Sequence, residues 1–141
     1  MQFEFKIIPA DTIETVVPLV KKMSKPHITE ALLLERFKEM VSQNYECVGV
    51  FKDEVLVGVA GMWFCTRHYS GRSVEIDHVF IEKSLRNQGI GSQLLSWIEN
   101  YTASKGFETI ELNTYIENEK SHDFYDRKNY KKLGYHFLKS L

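Results

Sequence analysis

The chain has 141 residues, of which 43% are hydrophobic and 26% are charged, and its formal net charge is −1. This length and composition predict a single globular domain over residues 1–141, with a hydrophobic core of its own. The small net charge provides no general attraction to nucleic acid or to anionic membranes, and no segment approaches the ~18 apolar residues of a membrane span. The N-terminus lacks the apolar run of a signal peptide. We therefore expect a cytoplasmic protein with no nucleic-acid or membrane partner.

The first half of the chain predicts a strand, two helices and a hairpin. Apolar side chains alternate over residues 2–8, which indicates a half-buried strand. Apolar residues at helical spacing then predict a first helix, with Asp11 or Thr12 as its N-cap. Pro18 either bends this helix or marks its true start. Thr29 can cap a second helix. The hairpin strands and the polar loop that follows them cover residues 45–51, 55–65 and 66–72.

The two cysteines lie in the hairpin. Cys47 and Cys65 each occur within an apolar, strand-like run, where a free cysteine commonly serves as a small buried hydrophobe. No His/Cys spacing typical of metal ligands surrounds them. We therefore expect neither a metal site nor a catalytic thiol.

A strand, a turn and a helix that begins with glycines occupy the middle of the chain. Residues 73–82 alternate and are rich in β-branched side chains, which predicts a strand. Gly89 and Gly91 then precede an apolar stripe at helical spacing. The first N–H groups of a helix lack intrahelical partners, and glycines let an anion approach the backbone closely. The segment 88–92 is therefore predicted to bind phosphate, although many such glycine pairs only make a tight turn.

The last third of the chain predicts a strand, a short helix and a final strand. These elements cover residues 109–115, 118–129 and 130–138, and Gly134 interrupts the final strand. The whole order is β-α-α-β-β-β-α-β-α-β, which is typical of a mixed α/β (α+β) fold.

Two motifs resemble those of the GCN5-related N-acetyltransferase (GNAT) superfamily. The run Arg86–Gly91 resembles motif A of the family, Arg/Gln-x-x-Gly-x-Gly/Ala after a strand. A second run, from Asn118 to Tyr130, resembles the later family motif Asn-x-x-Ala-x-x-Phe-Tyr-x-x-x-Gly-Phe. Ser121 replaces the usual alanine and Asn129 the usual glycine. Asparagine tolerates positive φ, so Asn129 can still end the helix.

The resemblance implies an acyl-CoA N-acyltransferase fold with acetyl-CoA as co-substrate. In that fold the sheet opens between the central strand and the next one, and the opening holds the pantetheine arm. The resemblance further implies that the backbone of the central strand pairs with pantetheine and that the glycine turn holds the pyrophosphate. The coenzyme-binding residues expected on this basis are Val79, Phe80, Ile81, Arg86, Asn87, Gln88, Gly89, Ile90, Gly91, Ser92 and Asn118.

The resemblance also implies two catalytic side chains. Glu75 matches the strand-borne general base of the histone-acetyltransferase branch, and Tyr125 matches the general acid near the cofactor sulfur. Asp77 lies on the same face as Glu75, so either carboxylate could act as the base or bind the acceptor's cation. His78 alternates onto the face of Val74, Ile76 and Phe80, where a buried imidazole with its hydrogen bonds satisfied is expected.

The resemblance implies that the chain is an acetyl-CoA-dependent N-acetyltransferase that uses direct transfer in a ternary complex. Glu75, Asp77, Glu117 and Glu119 favour a small cationic amine as acceptor. A protein lysine or N-terminus stays open as the acceptor. Two other functions also stay open, namely a non-catalytic acyl-CoA sensor and an anion-binding protein with a chance glycine turn. A homodimer, in which a partner completes the sheet edge, is open as well.

Overall fold

A computed structural model describes residues 2–141. The described chain divides into two compact units, one that ends at Glu111 and a second that spans Leu112–Leu141. The prediction of a single domain over residues 1–141 stays a prediction. Within residues 2–141, no helix combines the length and the apolar character that crossing a membrane requires.

Five strands form one sheet in the order β1-β2-β3-β4-β5. The pairs β1–β2, β2–β3 and β3–β4 are antiparallel, and β5 lies beside β4. With helices between the strands, this architecture confirms the mixed α/β class. The strands are β1 Phe3–Ile8, β2 Tyr45–Lys52, β3 Val55–Arg67, β4 Gly71–Ile81 and β5 Thr109–Leu112.

Four α-helices accompany the sheet. A 3-10 segment, Ala10–Val16, leads into the first, and Pro18 lies in the first turn of that α-helix, so the proline marks its true start. Thr29 caps the second helix, as predicted, by accepting a hydrogen bond from the backbone N–H of Leu32 at 3.1 Å. The helices are α1 Val17–Met23, α2 Glu30–Met40, α3 Ile90–Ser104 and α4 Glu119–Arg127.

Helices cover both faces of the sheet. Buried side chains of α1 and α2, such as Val20 and Phe37, share a core with Cys47 of β2. Near the end of α3, the Tyr101 hydroxyl donates to Glu46 at 2.5 Å. Because neighbouring strand residues point to opposite faces, α3 lies on the face opposite α1 and α2. Cys47 is buried, as expected, whereas Cys65 is half-buried, and both are free thiols.

A β-bulge interrupts the pairing of β3 with β4. Gly61 pairs with Asp77 and Val59 pairs with Phe80, so Ala60 alone lies opposite His78 and Val79. The extra residue shifts the alternation by one position. Phe80 therefore lies on the face of Asp77, and the prediction that Phe80 shares a face with Ile76 is wrong. The ring of His78 packs against Phe37 of α2, so the prediction that His78 lies on the face of Ile76 is wrong as well.

The predicted final strand over residues 130–138 is absent. Residues 131–141 adopt no helix or strand, and the structure gives their backbone no hydrogen-bond partner within the described chain. A strand requires a neighbouring strand to satisfy its N–H and C=O groups, and none pairs with this segment. The observed order therefore ends at α4. β5 is also shorter than predicted, whereas β3 continues to Arg67.

Candidate active site

The start of α3 has the form of an anion-binding turn. Gly89 is the N-cap residue, with φ of 80°, and Asn87 before it has φ of 65°. The first helical hydrogen bond runs from the N–H of Gln93 to the carbonyl of Gly89 at 3.2 Å. Among the described residues, no side chain caps this end. The N–H groups of the first turn are thus available to a ligand.

Arg86 connects this turn to the end of β4. Its Nε donates to the carbonyl oxygen of Ile81 at 2.9 Å, and its guanidinium lies 5.3 Å from the centre of the Phe80 ring. Val79, in the bulge, is 39% exposed, whereas Phe80 and Ile90 are buried. The structure therefore brings Arg86 and the predicted pantetheine-pairing segment together. Buried Ile90 can contribute only its backbone.

Two carboxylates lie on one face of β4. Glu75 is opposite Trp63, and Asp77 is opposite Gly61. Because Trp63 and Gly61 are two residues apart on β3, their partners share a face, which is the face of α1 and α2. The prediction that Glu75 and Asp77 lie on the same face is confirmed.

Glu75 belongs to an ionic network. Arg67 Nη2 lies 2.9 Å from Glu75 Oε1, and Arg67 Nε lies 2.7 Å from Glu111 Oε2. Glu111 also accepts hydrogen bonds from the Ser73 hydroxyl at 2.9 Å and from the Tyr69 hydroxyl. Partial burial opposes ionisation of Glu111, but these hydrogen bonds and Arg67 hold its pKa below the ordinary value.

The sequence interpretation missed Arg67 and Glu111. It assigned Arg67 to a polar loop, but β3 extends to this residue, and the register pairs Arg67 with Gly71 on the face of Glu75. Alternation through Trp63, Cys65 and Arg67 was the available signal. Glu111 gave no local signal, because its role depends on the neighbouring strand.

Asp77 is held by two hydrogen bonds. Its Oδ2 accepts from Trp63 Nε1 at 3.1 Å, and its Oδ1 accepts from the backbone N–H of His78 at 2.8 Å. The second contact lies at the bulge, where His78 has φ of 35°. The Asp77 carboxylate therefore stabilises the strained turn of the bulge.

The His78 imidazole is only partly satisfied. Its Nε2 is hydrogen-bonded to the Tyr45 hydroxyl, and its ring lies 5.2 Å from that of Phe37 in an edge-on arrangement. The ring also occupies the space that a side chain at Gly61 would need. Nδ1 is buried without a partner in the described residues. Burial lowers the pKa of His78, although Asp77 opposes this shift.

Tyr125 and Asn118 lie in the second unit, on α4. Asn118 Oδ1 accepts from the N–H of Ser121 at 3.3 Å, so Asn118 is the N-cap residue. Burial raises the pKa of the Tyr125 hydroxyl, which is protonated at neutral pH even without that shift. Asn129 has φ of 68° immediately after the helix, as its predicted role in ending α4 requires.

Three comparisons relate the chain to known proteins. The model of a family described as "Acetyltransferase (GNAT) family" matches residues 15–130. The chain is 38% identical over 74 residues to aminoalkylphosphonate N-acetyltransferase from Salmonella typhimurium. That match covers 52% of this chain and 48% of the relative, so it spans about half of the relative's length.

Solved structures share the fold. A possible acetyltransferase from Clostridium difficile 630 aligns with a TM-score of 0.83 at 15% identity, over 100% of this chain and 98% of that one. Aminoglycoside N-acetyltransferase AAC(6')-Iy, in complex with CoA, aligns with a TM-score of 0.83 at 16% identity, over 99% and 95%. At such low identity these matches concern the fold alone.

Proposed function

Because the chain belongs to the acetyltransferase (GNAT) family, we propose that it transfers the acetyl group of acetyl-CoA to a primary amine. The observation that carries this proposal is the start of α3, where glycine and free N–H groups form a turn open to an anion. The turn fits a diphosphate, because backbone donors and the positive end of the helix dipole both favour negative charge.

The coenzyme is proposed to bind along the end of β4 and the start of α3. The pyrophosphate would lie on residues 86–92, and pantetheine would pair with the backbone of residues 79–81. The bulge supports the second contact, because a bulged strand leaves backbone groups outside the regular ladder. Asn118 is proposed as a further contact through its amide nitrogen, since its oxygen caps α4. When bound, acetyl-CoA supplies an activated thioester.

Glu75 is proposed as the general base. An alkylammonium, with a pKa of about 10.4, has no lone pair to attack the thioester until it loses a proton. Glu75 would accept that proton, directly or through water. Asp77 is assigned a positioning role instead, because both of its oxygens accept hydrogen bonds that hold the bulge.

Tyr125 is proposed as the general acid. As the amine nitrogen bonds to the carbonyl carbon, the carbon–sulfur bond breaks and the electron pair passes to sulfur. Tyr125 would donate its hydroxyl proton to that thiolate. The phenol can fill this role because its ordinary pKa of about 10 keeps the proton on the hydroxyl at neutral pH.

The acceptor is proposed to be a small cationic amine. The face of β4 and its neighbours carries three carboxylates, from Glu75, Asp77 and Glu111, against one guanidinium, from Arg67. This excess of negative charge favours an acceptor with more than one positive group. Trp63 offers an aromatic surface beside Asp77 that could contact such a cation.

The experiment measures thiol release from acetyl-CoA by the purified chain against a panel of amines. The panel includes linear diamines, an aminoglycoside, an aminoalkylphosphonate and a lysine peptide, at one pH and one ionic strength. The proposal predicts amine-dependent release, with the highest kcat/KM for the diamines. A preference for the phosphonate would indicate that Arg67 binds an anionic group, and a preference for the peptide would favour a protein acceptor. Coenzyme binding without release by any amine would favour the sensor.

A further inference from the structure

The side chain of His78 reaches across the sheet from β4 to β2. Its Nε2 is hydrogen-bonded to the hydroxyl of Tyr45, the first residue of β2, and β3 lies between these two strands. Nδ1 has no partner among the described residues, so within the described chain the imidazole depends on Tyr45 for its hydrogen bond. Tyr45 is 5% exposed, and the ring of Phe37, which is also buried, lies 5.2 Å from the imidazole. The imidazole is therefore held by groups that are themselves buried.

The hydrogen bond requires a glycine at position 61 of β3. A Cβ on Gly61 would lie 2.2 Å from His78 Nε2 and 2.9 Å from Cε1 of Tyr45. Both distances are shorter than real Cβ contacts allow, so a side chain at this position would displace the imidazole or the phenol. Three neighbouring strands thus each contribute one residue to the arrangement, here called the His78 contact: Tyr45 from β2, Gly61 from β3 and His78 from β4.

The His78 contact lies at the bulge of β4. His78 has φ of 35°, which residues other than glycine rarely adopt and keep only where their surroundings hold them. The Asp77 carboxylate accepts a hydrogen bond from the backbone N–H of His78 at 2.8 Å, and Tyr45 holds the side chain of the same residue. The bulge is therefore fixed both through its backbone and through its imidazole.

The bulge determines which backbone groups of β4 point away from β3. Beyond the bulge, the N–H of Glu82 donates to the carbonyl of Val57 on β3 at 2.9 Å. Backbone groups of neighbouring strand residues point to opposite sides, so those of Val79 and Ile81 point away from β3. The hydrogen bond from Arg86 Nε to the Ile81 carbonyl, at 2.9 Å, agrees with this orientation.

Loss of the bulge would reverse this orientation. Without the extra residue, Val59 would lie opposite Val79 instead of Phe80. Every later residue of β4 would shift by one position against β3, and the backbone groups of Val79 and Ile81 would turn toward β3. The segment would then present different groups on its outer side.

We propose that His78 and Tyr45 are positioning residues for the coenzyme, because the His78 contact keeps the bulge in place and so orients the backbone of residues 79–81 toward pantetheine. The positioning role rests on the proposed function, in which that segment pairs with pantetheine. Neither side chain is assigned a contact with acetyl-CoA, so both act only through the strand. The glycine turn at the start of α3 is a separate element, so the pyrophosphate contacts should not depend on the His78 contact.

Tyr45→Phe tests this role, because phenylalanine keeps the buried ring and removes only the hydroxyl that holds the imidazole. Calorimetry measures the Kd for acetyl-CoA and the Kd for the nucleotide half of coenzyme A, adenosine 3′-phosphate 5′-diphosphate, which contains no pantetheine. The Kd for acetyl-CoA should rise by at least about fivefold, the factor that corresponds to the loss of one hydrogen bond of ordinary strength. The Kd for the nucleotide half should be unchanged, whereas general damage to the fold would raise both.

Gly61→Ala and Gly49→Ala form a matched pair of variants. Each adds one methyl group to a crowded glycine of the sheet, but the Cβ of Gly49 would lie 2.6 Å from Cδ1 of Ile8 and would not displace His78. Gly61→Ala should raise the Kd for acetyl-CoA and leave the Kd for the nucleotide half unchanged. Gly49→Ala should leave both Kd values unchanged, even where the two variants lower the melting temperature equally.

Failure of the positioning role and failure of the proposed function give different results. The positioning role alone would be overturned by an unchanged Kd for acetyl-CoA in Tyr45→Phe, by an equal rise for both ligands, or by a rise in Gly49→Ala as large as that in Gly61→Ala. A wild type that binds acetyl-CoA no more tightly than the nucleotide half, or that binds neither, would instead contradict the pantetheine contact of the proposed function. The positioning role would then be wrong with it.

Discussion

Two regions of the first unit are built in different ways. The turn at the start of α3 consists of backbone, with Gly89 at positive φ and N–H groups that no described side chain caps. The acidic face of β4 consists of side chains that several strands hold in place, with Glu75 against Arg67 from β3. The difference assigns separate tasks, because the backbone turn should determine coenzyme affinity and the acidic face should determine the rate of proton removal. Variants in the two regions should therefore change different kinetic constants.

The largest effect is expected for Glu75→Gln. The amide has nearly the same shape but cannot accept the amine proton, so kcat should fall by about 10²–10⁴-fold, the usual contribution of a general base. The measurement is steady-state thiol release, with the Kd for acetyl-CoA determined by calorimetry on the same preparation. The Kd should be unchanged.

Asp77→Asn is the matched control for this variant. Asparagine keeps an acceptor for one of the two hydrogen bonds of Asp77, from Trp63 or from the N–H of His78. We expect a smaller loss in kcat than for Glu75→Gln. A loss that is larger in Asp77→Asn would transfer the base role to Asp77.

Tyr125→Phe should have the next largest effect. Without the phenol the thiolate must leave unprotonated, and with a thiol pKa of about 8.5 it is a fair leaving group even so. We therefore expect kcat to fall by about 10²-fold, the lower end of the range for acid–base catalysis. A kcat equal to that of the wild type would remove Tyr125 from the mechanism.

Gly89→Val tests the backbone region. A β-branched residue at a φ of 80° is strained, and its side chain would project from the anion-binding turn into open space. Calorimetry should show a Kd for acetyl-CoA that is at least about tenfold higher, which corresponds to about 1.4 kcal/mol. Gly89→Asn is the control, because asparagine adopts positive φ more readily, and its Kd should rise less.

The same contrast explains how much of the molecule the sequence predicts. Backbone sites are encoded locally, so the spacing of Arg86, Gly89 and Gly91 predicts the turn and the helix that follows it. The Arg67 network depends on which residues face each other across strands, and local alternation does not specify that register. The bulge at His78 was missed for the same reason.

The final strand shows a different limit. The alternation of Leu133, Tyr135 and Phe137 is typical of a strand, but a strand forms only against a partner. In the described chain these side chains are exposed and the segment forms no strand. Sequence pattern predicts a preference for extended structure, and it does not identify the neighbour that satisfies the backbone.

The smallest effect is expected at His78. Burial lowers its pKa in the folded protein below the ordinary value of 6.5. Well above pH 6.5 the imidazole is neutral in both states, and as the pH falls through 6.5 the unfolded state takes up the proton first. The free energy of unfolding should therefore fall with decreasing pH in this range. Urea denaturation across this range should show a shallower fall in the free energy of unfolding for His78→Asn. Asparagine suits the position because it tolerates positive φ. An identical pH dependence in both proteins would contradict the lowered pKa of His78 in the folded protein.

The central claim is that the turn at the start of α3 binds acetyl-CoA, and calorimetric titration of the unmodified chain with acetyl-CoA tests it most directly. We expect saturable binding with one coenzyme per chain, weakened by added salt because the pyrophosphate contacts are electrostatic. Absence of binding by a folded preparation would contradict the claim, and the roles proposed for the acidic face and for Tyr125 would fall with it, because both require the bound thioester.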